Sequence, residues 1–353
     1  MPVPFDIGPF EIADTEIRAS AAAGSAVVVF AGNGSDALRY DVIQLEGLRV
    51  APAAAAADVS GPYGVRGTVR IEAALSDGRV ATSELRVAEL RAGWEAPDGY
   101  GGVGMGRIHV PLSSDRRDET EGMALSFRPL LSQLGSAPLH APGVDARIAW
   151  PDRVQVQGGV VWTAPSASAP MTWARLDLLP LGPMPDDEDG HTDKLRIDAG
   201  GAIADQRDHV GGPETWLVGD VSAAWRSFGG EVGWISRNHA GTISDDQWIA
   251  LHARLAPLPV HTDLFFAGRV EWIDGIVAGE FARNQATGRL SWRALQPDAD
   301  FGDGADRAWA ALYVEGTVSR ESGAGNEPTT GDALTLDHER PNDWLAVGVW
   351  TRW

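Results

Sequence analysis

Cysteine is absent from all 353 residues, which removes disulfides, thiolate nucleophiles and sulfur-ligated metals together. Lysine is reduced to Lys194, so the cations are arginines almost throughout. No run approaches the roughly eighteen consecutive apolar residues of a transmembrane helix, and helical periodicity is nearly missing. Neither HExxH nor GxSxG occurs, and the eight histidines are scattered, so no zinc clamp or serine-nucleophile elbow is in view. The glycines of "GYGGVG" match a dinucleotide fingerprint only in spacing, since no helix follows them. A net charge of −20 disfavours nucleic acid, whose binding needs cationic surface to displace counterions. The opening "MPVPFDIGPF" has neither a basic n-region nor an apolar h-region, so an exported chain is expected to have lost its signal peptide.

What fills the chain is alternation. About sixteen segments of eight to thirteen residues follow a period of two and close on Gly, Pro, Asn or Asp. On 215–227, Leu217, Gly219, Val221, Ala223 and Trp225 share one face, against Asp220, Ser222 and Arg226. On 263–274, Leu264, Phe266, Gly268, Val270 and Trp272 oppose Arg269 and Glu271. A strand of about ten residues rising ~3.3 Å each, tilted ~45°, covers roughly 23 Å, the height of an outer-membrane apolar band. Several apolar rows end in indoles: Trp94, Trp150, Trp162, Trp225, Trp272 and Trp353. Fourteen tryptophans against four tyrosines suit a boundary between hydrocarbon and water, so these six are candidates for an aromatic girdle. The last segment, "DWLAVGVWTRW", keeps its alternation up to Trp353, as a barrel-closing strand would.

The connections alternate too. Residues 96–99, 151–152, 228–229 and 259–262 are brief, whereas 113–142, 206–214, 238–246, 275–285 and 320–342 are longer and fall at the other end; the long links 182–193 and 296–307 and the short loop 76–82 break the rule. These patterns predict an all-β chain: a transmembrane antiparallel β-barrel of about sixteen strands over 25–353, with 1–24 as a periplasmic preface. A soluble sandwich also alternates, but the small residues on the apolar faces would fill its core poorly.

The stretch "GYGGVGMGRIHVPLSSD", followed by "MALSFRPLLSQLGSAPLHAPGVDARIAW", resembles the phosphate-selective porin O/P family of Gram-negative bacteria. "GGVVW", "WARLDLLPL" and "LFFAGRVEWID" follow in that family's order. The resemblance implies a sixteen-stranded outer-membrane barrel, often a homotrimer, with the third loop (113–142) folded toward the lumen. The family's phosphate trap combines arginine ladders with a lysine cluster, and a chain holding only Lys194 departs from it.

Strand parity places arginines on the bore side: Arg66, Arg70, Arg107, Arg147, Arg175, Arg226, Arg269, Arg289 and Arg293 are the candidate pore wall. The third loop supplies a mixed-charge constriction from Asp115, Arg116, Arg117, Asp118, Glu119 and Glu121. Most of the negative charge lies in connections such as "PDDEDGHTD" and "LDHERPND". The total charge is therefore a poor guide to the sign at the narrowest point, which governs ion preference. Asp298, Asp300, Asp303 and Asp306 form a weak Ca²⁺ candidate without a closing bidentate glutamate. No cofactor is expected. The predicted function is passive diffusion of small hydrophilic solutes or ions across an outer membrane, without enzymatic activity. The alternatives are a plugged barrel serving as anchor or interaction scaffold, and a soluble β-sheet binding protein.

Overall fold

The computed structural model describes residues 10–12, 15–33, 40–75, 83–96, 99–112, 140–150, 153–163, 169–183, 192–209, 212–226, 228–258, 262–276, 281–295, 309–322 and 343–352. Almost all of them are strand. The elements are β1 (Phe10–Ile12), β2 (Thr15–Asn33), β3 (Tyr40–Ser60), β4 (Val65–Leu75), β5 (Ser83–Glu95) and β6 (Gly101–His109). Then come β7 (His140–Trp150), β8 (Val154–Val161), β9 (Met171–Leu178), β10 (Thr192–His209), β11 (Gly212–Arg226) and β12 (Phe228–His239). The remainder are β13 (Thr242–Leu258), β14 (Thr262–Ile276), β15 (Phe281–Leu295), β16 (Trp309–Ser322) and β17 (Asp343–Arg352).

Each strand from β2 onward pairs antiparallel with its sequence neighbour, and β17 pairs with β2. The sixteen strands β2–β17 therefore close into a barrel without an open edge. The closing ladder runs from Asp343 opposite Ala31 to Arg352 opposite Ala22. The alternation of "LAVGVW" thus continues a wall on both sides. A short additional strand, β1, pairs with the start of β2, Phe10 opposite Ile17.

Two expectations change. The wall begins at Thr15 and not at residue 25, because Glu16–Ala22 already pair with Ala54–Ser60 of β3; residues 15–24 are strand, not preface. The links expected to be long at 206–214 and 238–246 are mostly strand, since the ladders run on past the apolar band. At the second, His239 pairs with Thr242 across Ala240 and Gly241, both at positive φ, and Gly241 N–H donates to Asn238 Oδ1 at 3.0 Å. Positive φ at both central residues is what a two-residue hairpin of type I′ requires.

The distribution of side chains is the reverse of a water-soluble protein's. Val65, Leu90, Val103, Met105, Val144, Ile148, Leu217, Val221, Val270 and Leu312 are exposed on the outer face. On the opposite face Asp145, Arg175, Asp177, Asp198, Glu214, Asp220, Arg269, Glu271 and Arg289 are buried. Water inside and hydrocarbon outside is the solvent arrangement that makes such a wall stable. One apolar cluster also lies inward: Ile108, Val110 and Leu112 at and beyond the end of β6 join Trp173, Trp216, Val218, Ile235 and Trp248.

Candidate pore lining

The lumenal charges are organised by a device that appears twice among the described residues. Arg175 on β9 reaches across β10 to Asp220 on β11, with Nη1 and Nη2 donating to Oδ2 and Oδ1 at 2.8 and 2.7 Å. The residue it crosses is Gly200, where a Cβ would lie 2.0 Å from Arg175 Nη2 and 2.7 Å from Asp220 Oδ1. Only glycine leaves room for the bridge. Arg91 on β5 likewise reaches across β6 to Asp145 on β7, with Nε and Nη2 donating at 3.1 and 2.9 Å. It crosses Gly104, whose Cβ would lie 2.3 Å from Arg91 Nε and 2.5 Å from Asp145 Oδ1. Both are two-pronged guanidinium–carboxylate forks, the strong geometry for this pair.

The two differ in surroundings. Arg175 and Asp220 side chains are fully buried. Arg175 Nε also donates to Asp177 Oδ1 at 2.8 Å, and Nη1 to the Leu112 carbonyl at 2.9 Å. That last bond ties the chain leaving β6 to a wall strand three places away. With Ile108, Val110 and Leu112 packed among the inner indoles, the segment that leads into the third loop runs along the inside of the barrel. Asp115, Arg116, Arg117, Asp118, Glu119 and Glu121 of that loop lie outside the described residues, as do Asp298, Asp300, Asp303 and Asp306.

The Arg91–Asp145 fork instead borders a cavity of about 280 Å³, lined by Arg66, Glu89, Glu95, Arg147, Gln157, His109 and Pro111. Arg66 Nε lies 2.5 Å from Glu95 Oε2, and Arg147 pairs with Oε1 of the same carboxylate. Gln157 Nε2 donates to Asp145 Oδ2 at 3.4 Å.

The other wall candidates divide. Arg269 is buried on the inner face 3.4 Å from Glu271, and Arg289 lies over the Tyr313 ring at 4.1 Å. The side chains of Arg70 and Arg293 lie outside the described residues. Arg107 does not face the bore: the register sets it opposite Leu90 and Pro142, on the outer face shared with Val103 and Met105. Its charge argues for the inside, but strand register decides. Arg226 ends β11 at positive φ with its guanidinium 4.8 Å over the Trp225 ring, so it joins the rim and not the wall.

Arg91 goes unpredicted for the converse reason. A register shift between β4 and β5 at Arg70/Ile71 puts both Val87 and Leu90 on the outer face, so a parity count carried through β5 changes sign. The glycines opposite the two forks were the available signal.

Among the girdle candidates, Trp94, Trp150 and Trp225 are exposed at the short-turn end, and Trp162 and Trp272 are exposed toward the other. Trp353 lies outside the described residues. Trp292, Tyr63, Tyr100 and Phe228 add exposed aromatics at the short-turn end. Trp94 Nε1 donates to the Tyr63 carbonyl at 2.8 Å, fixing one ring to its turn.

A closed sixteen-strand wall with apolar residues outside and charges inside has direct structural parallels. The anion-selective porin from Comamonas acidovorans superposes with a TM-score of 0.59 at 11% identity, over 96% of this chain and 100% of that one. The outer membrane channel DcaP of Acinetobacter baumannii gives 0.59 at 10%, over 98% and 100%. A trimer form of the Vibrio cholerae outer membrane protein OmpT gives 0.59 at 13%, over 96% and 99%. The fold is that of the outer-membrane porins. No protein-family model matches the chain, and no curated protein matches it in sequence. The shared feature is the fold, carried by a sequence far from those of its structural neighbours.

Proposed function

We propose that this protein is an outer-membrane porin that lets small hydrophilic solutes diffuse through a water-filled bore with a weak preference for anions. The observation that carries the reading is the inversion of the wall: apolar residues such as Leu217, Val221 and Val270 point out, while Arg175, Asp220, Arg269 and Glu271 point in. The structural neighbours include an anion-selective porin and a channel of bacterial outer membranes, which supports both location and activity. The resemblance to phosphate-selective porins extends this only to general architecture, because the cavity cluster sets three arginines against three carboxylates. A homotrimer follows the trimeric form of the OmpT neighbour. The outer rows end in Trp94, Trp150, Trp225 and Trp272, which would seat the barrel in lipid.

Purified protein in planar bilayers should give stepwise ohmic conductance and a reversal potential shifted toward chloride. Replacing Arg116 and Arg117 by glutamine should reduce that shift, placing them in the constriction. No steps at any salt concentration would remove the porin reading. It would favour the plugged scaffold, for which the full burial of Arg175, Asp220 and Glu271 is the supporting observation.

A further inference from the structure

We infer that the cavity between β4 and β8 is a resting site for a small, singly charged carboxylic acid, an inference that rests on the porin reading and adds a ligand to it. The cluster around the cavity is neutral in sum but polarised in depth. The guanidinium side chains of Arg66, Arg147 and Arg91 are 55%, 33% and 28% exposed, whereas the carboxylates of Glu95 and Asp145 are 21% and 3% exposed. Cations therefore form the front and carboxylates the back, so the surface offered to a solute is a set of N–H edges.

Arg66 and Arg147 share the single carboxylate of Glu95. Neither guanidinium, with five donors in a planar fork, is saturated by one shared oxygen pair. A second carboxylate lying between them would complete both forks. Charge sets the valence. Three arginines already stand against Glu89, Glu95 and Asp145, so every negative charge a ligand brings is excess, and the exposed N–H edges offset one such charge better than the two of a dianion. Volume sets the size: about 280 Å³ is the share of roughly nine waters in the liquid, which admits an acid of up to about nine non-hydrogen atoms. Pro111 lines the same cavity, next to Leu112, whose carbonyl accepts from Arg175.

Isothermal titration of the intact barrel in detergent micelles tests this, with butyrate and lactate as probes and butyramide and inorganic phosphate as comparisons. Saturable heat with both acids and none with butyramide is expected. Arg66→Gln and Arg147→Gln should each weaken butyrate binding about tenfold, the size of a lost charge-assisted hydrogen bond. Glu95→Gln should strengthen it severalfold, a gain that misfolding cannot imitate. No saturable heat with either acid, equal binding of butyramide, tighter binding of phosphate than of butyrate, or unchanged affinity in all three variants would overturn the inference. Micellar titration does not require conduction, so a silent bilayer would remove the porin reading while leaving this result standing on its own.

Discussion

At the scale of single residues, the two glycine-spanning forks make an ordered prediction. In Gly200→Ala the new methyl enters the space of a fully buried guanidinium, so Arg175 and Asp220 lose each other inside the wall. Breaking a buried pair costs up to about 3–5 kcal/mol, and Arg175 keeps Asp177 as a second partner. Gly104→Ala strikes the Arg91–Asp145 fork, whose arginine is still reached by water and can rehydrate, so about 1–2 kcal/mol is expected. Urea unfolding of the refolded barrel in detergent should rank Gly200→Ala well below Gly104→Ala; equal losses would mean that solvent access does not control these pairs. Arg175→Met belongs to the same set. It removes the bonds from Arg175 to Asp220 and Asp177 and releases the Leu112 carbonyl, so current noise in bilayers should rise as the loop entry loosens.

At the scale of the strand, adjacent residues should respond in opposite ways. Val221 and Ser222 are neighbours on β11, the first exposed on the outer face and the second turned inward beside Asp198 of β10. Val221→Arg puts a charge into hydrocarbon and should cost about 2–4 kcal/mol, whereas Ser222→Arg meets a carboxylate and should cost little. Folding yield into vesicles measures the difference, and similar yields would deny that the outer face meets lipid. This inside–outside rule was legible in the sequence, because period-two alternation is a property of each strand alone. So were the closing strand and the strand number, since turn residues punctuate the segments. The side on which Arg91 and Arg107 fall was not, because a register shift is fixed by the partner strand and leaves no mark in local composition. The inward turn of Val110 and Leu112 was equally hidden, as "HVPL" merely continues an alternating row.

At the scale of the whole molecule, the barrel holds two populations of indole. Trp94, Trp150, Trp225, Trp234 and Trp292 stand on the outer surface, while Trp173, Trp216 and Trp248 are buried on the inner one, Trp248 donating to Glu231 Oε1 at 2.6 Å. The inner three share a cluster with Ile108, Val110 and Leu112, the residues that lead into the third loop. Brominated acyl chains should therefore extinguish the emission of the outer group and spare the inner, leaving a residual spectrum with its own maximum. That residue is an intrinsic optical gauge of the loop's seat. It should shift in Arg175→Met without any label being attached, and it can follow the entry segment in intact vesicles while current is drawn through the bore.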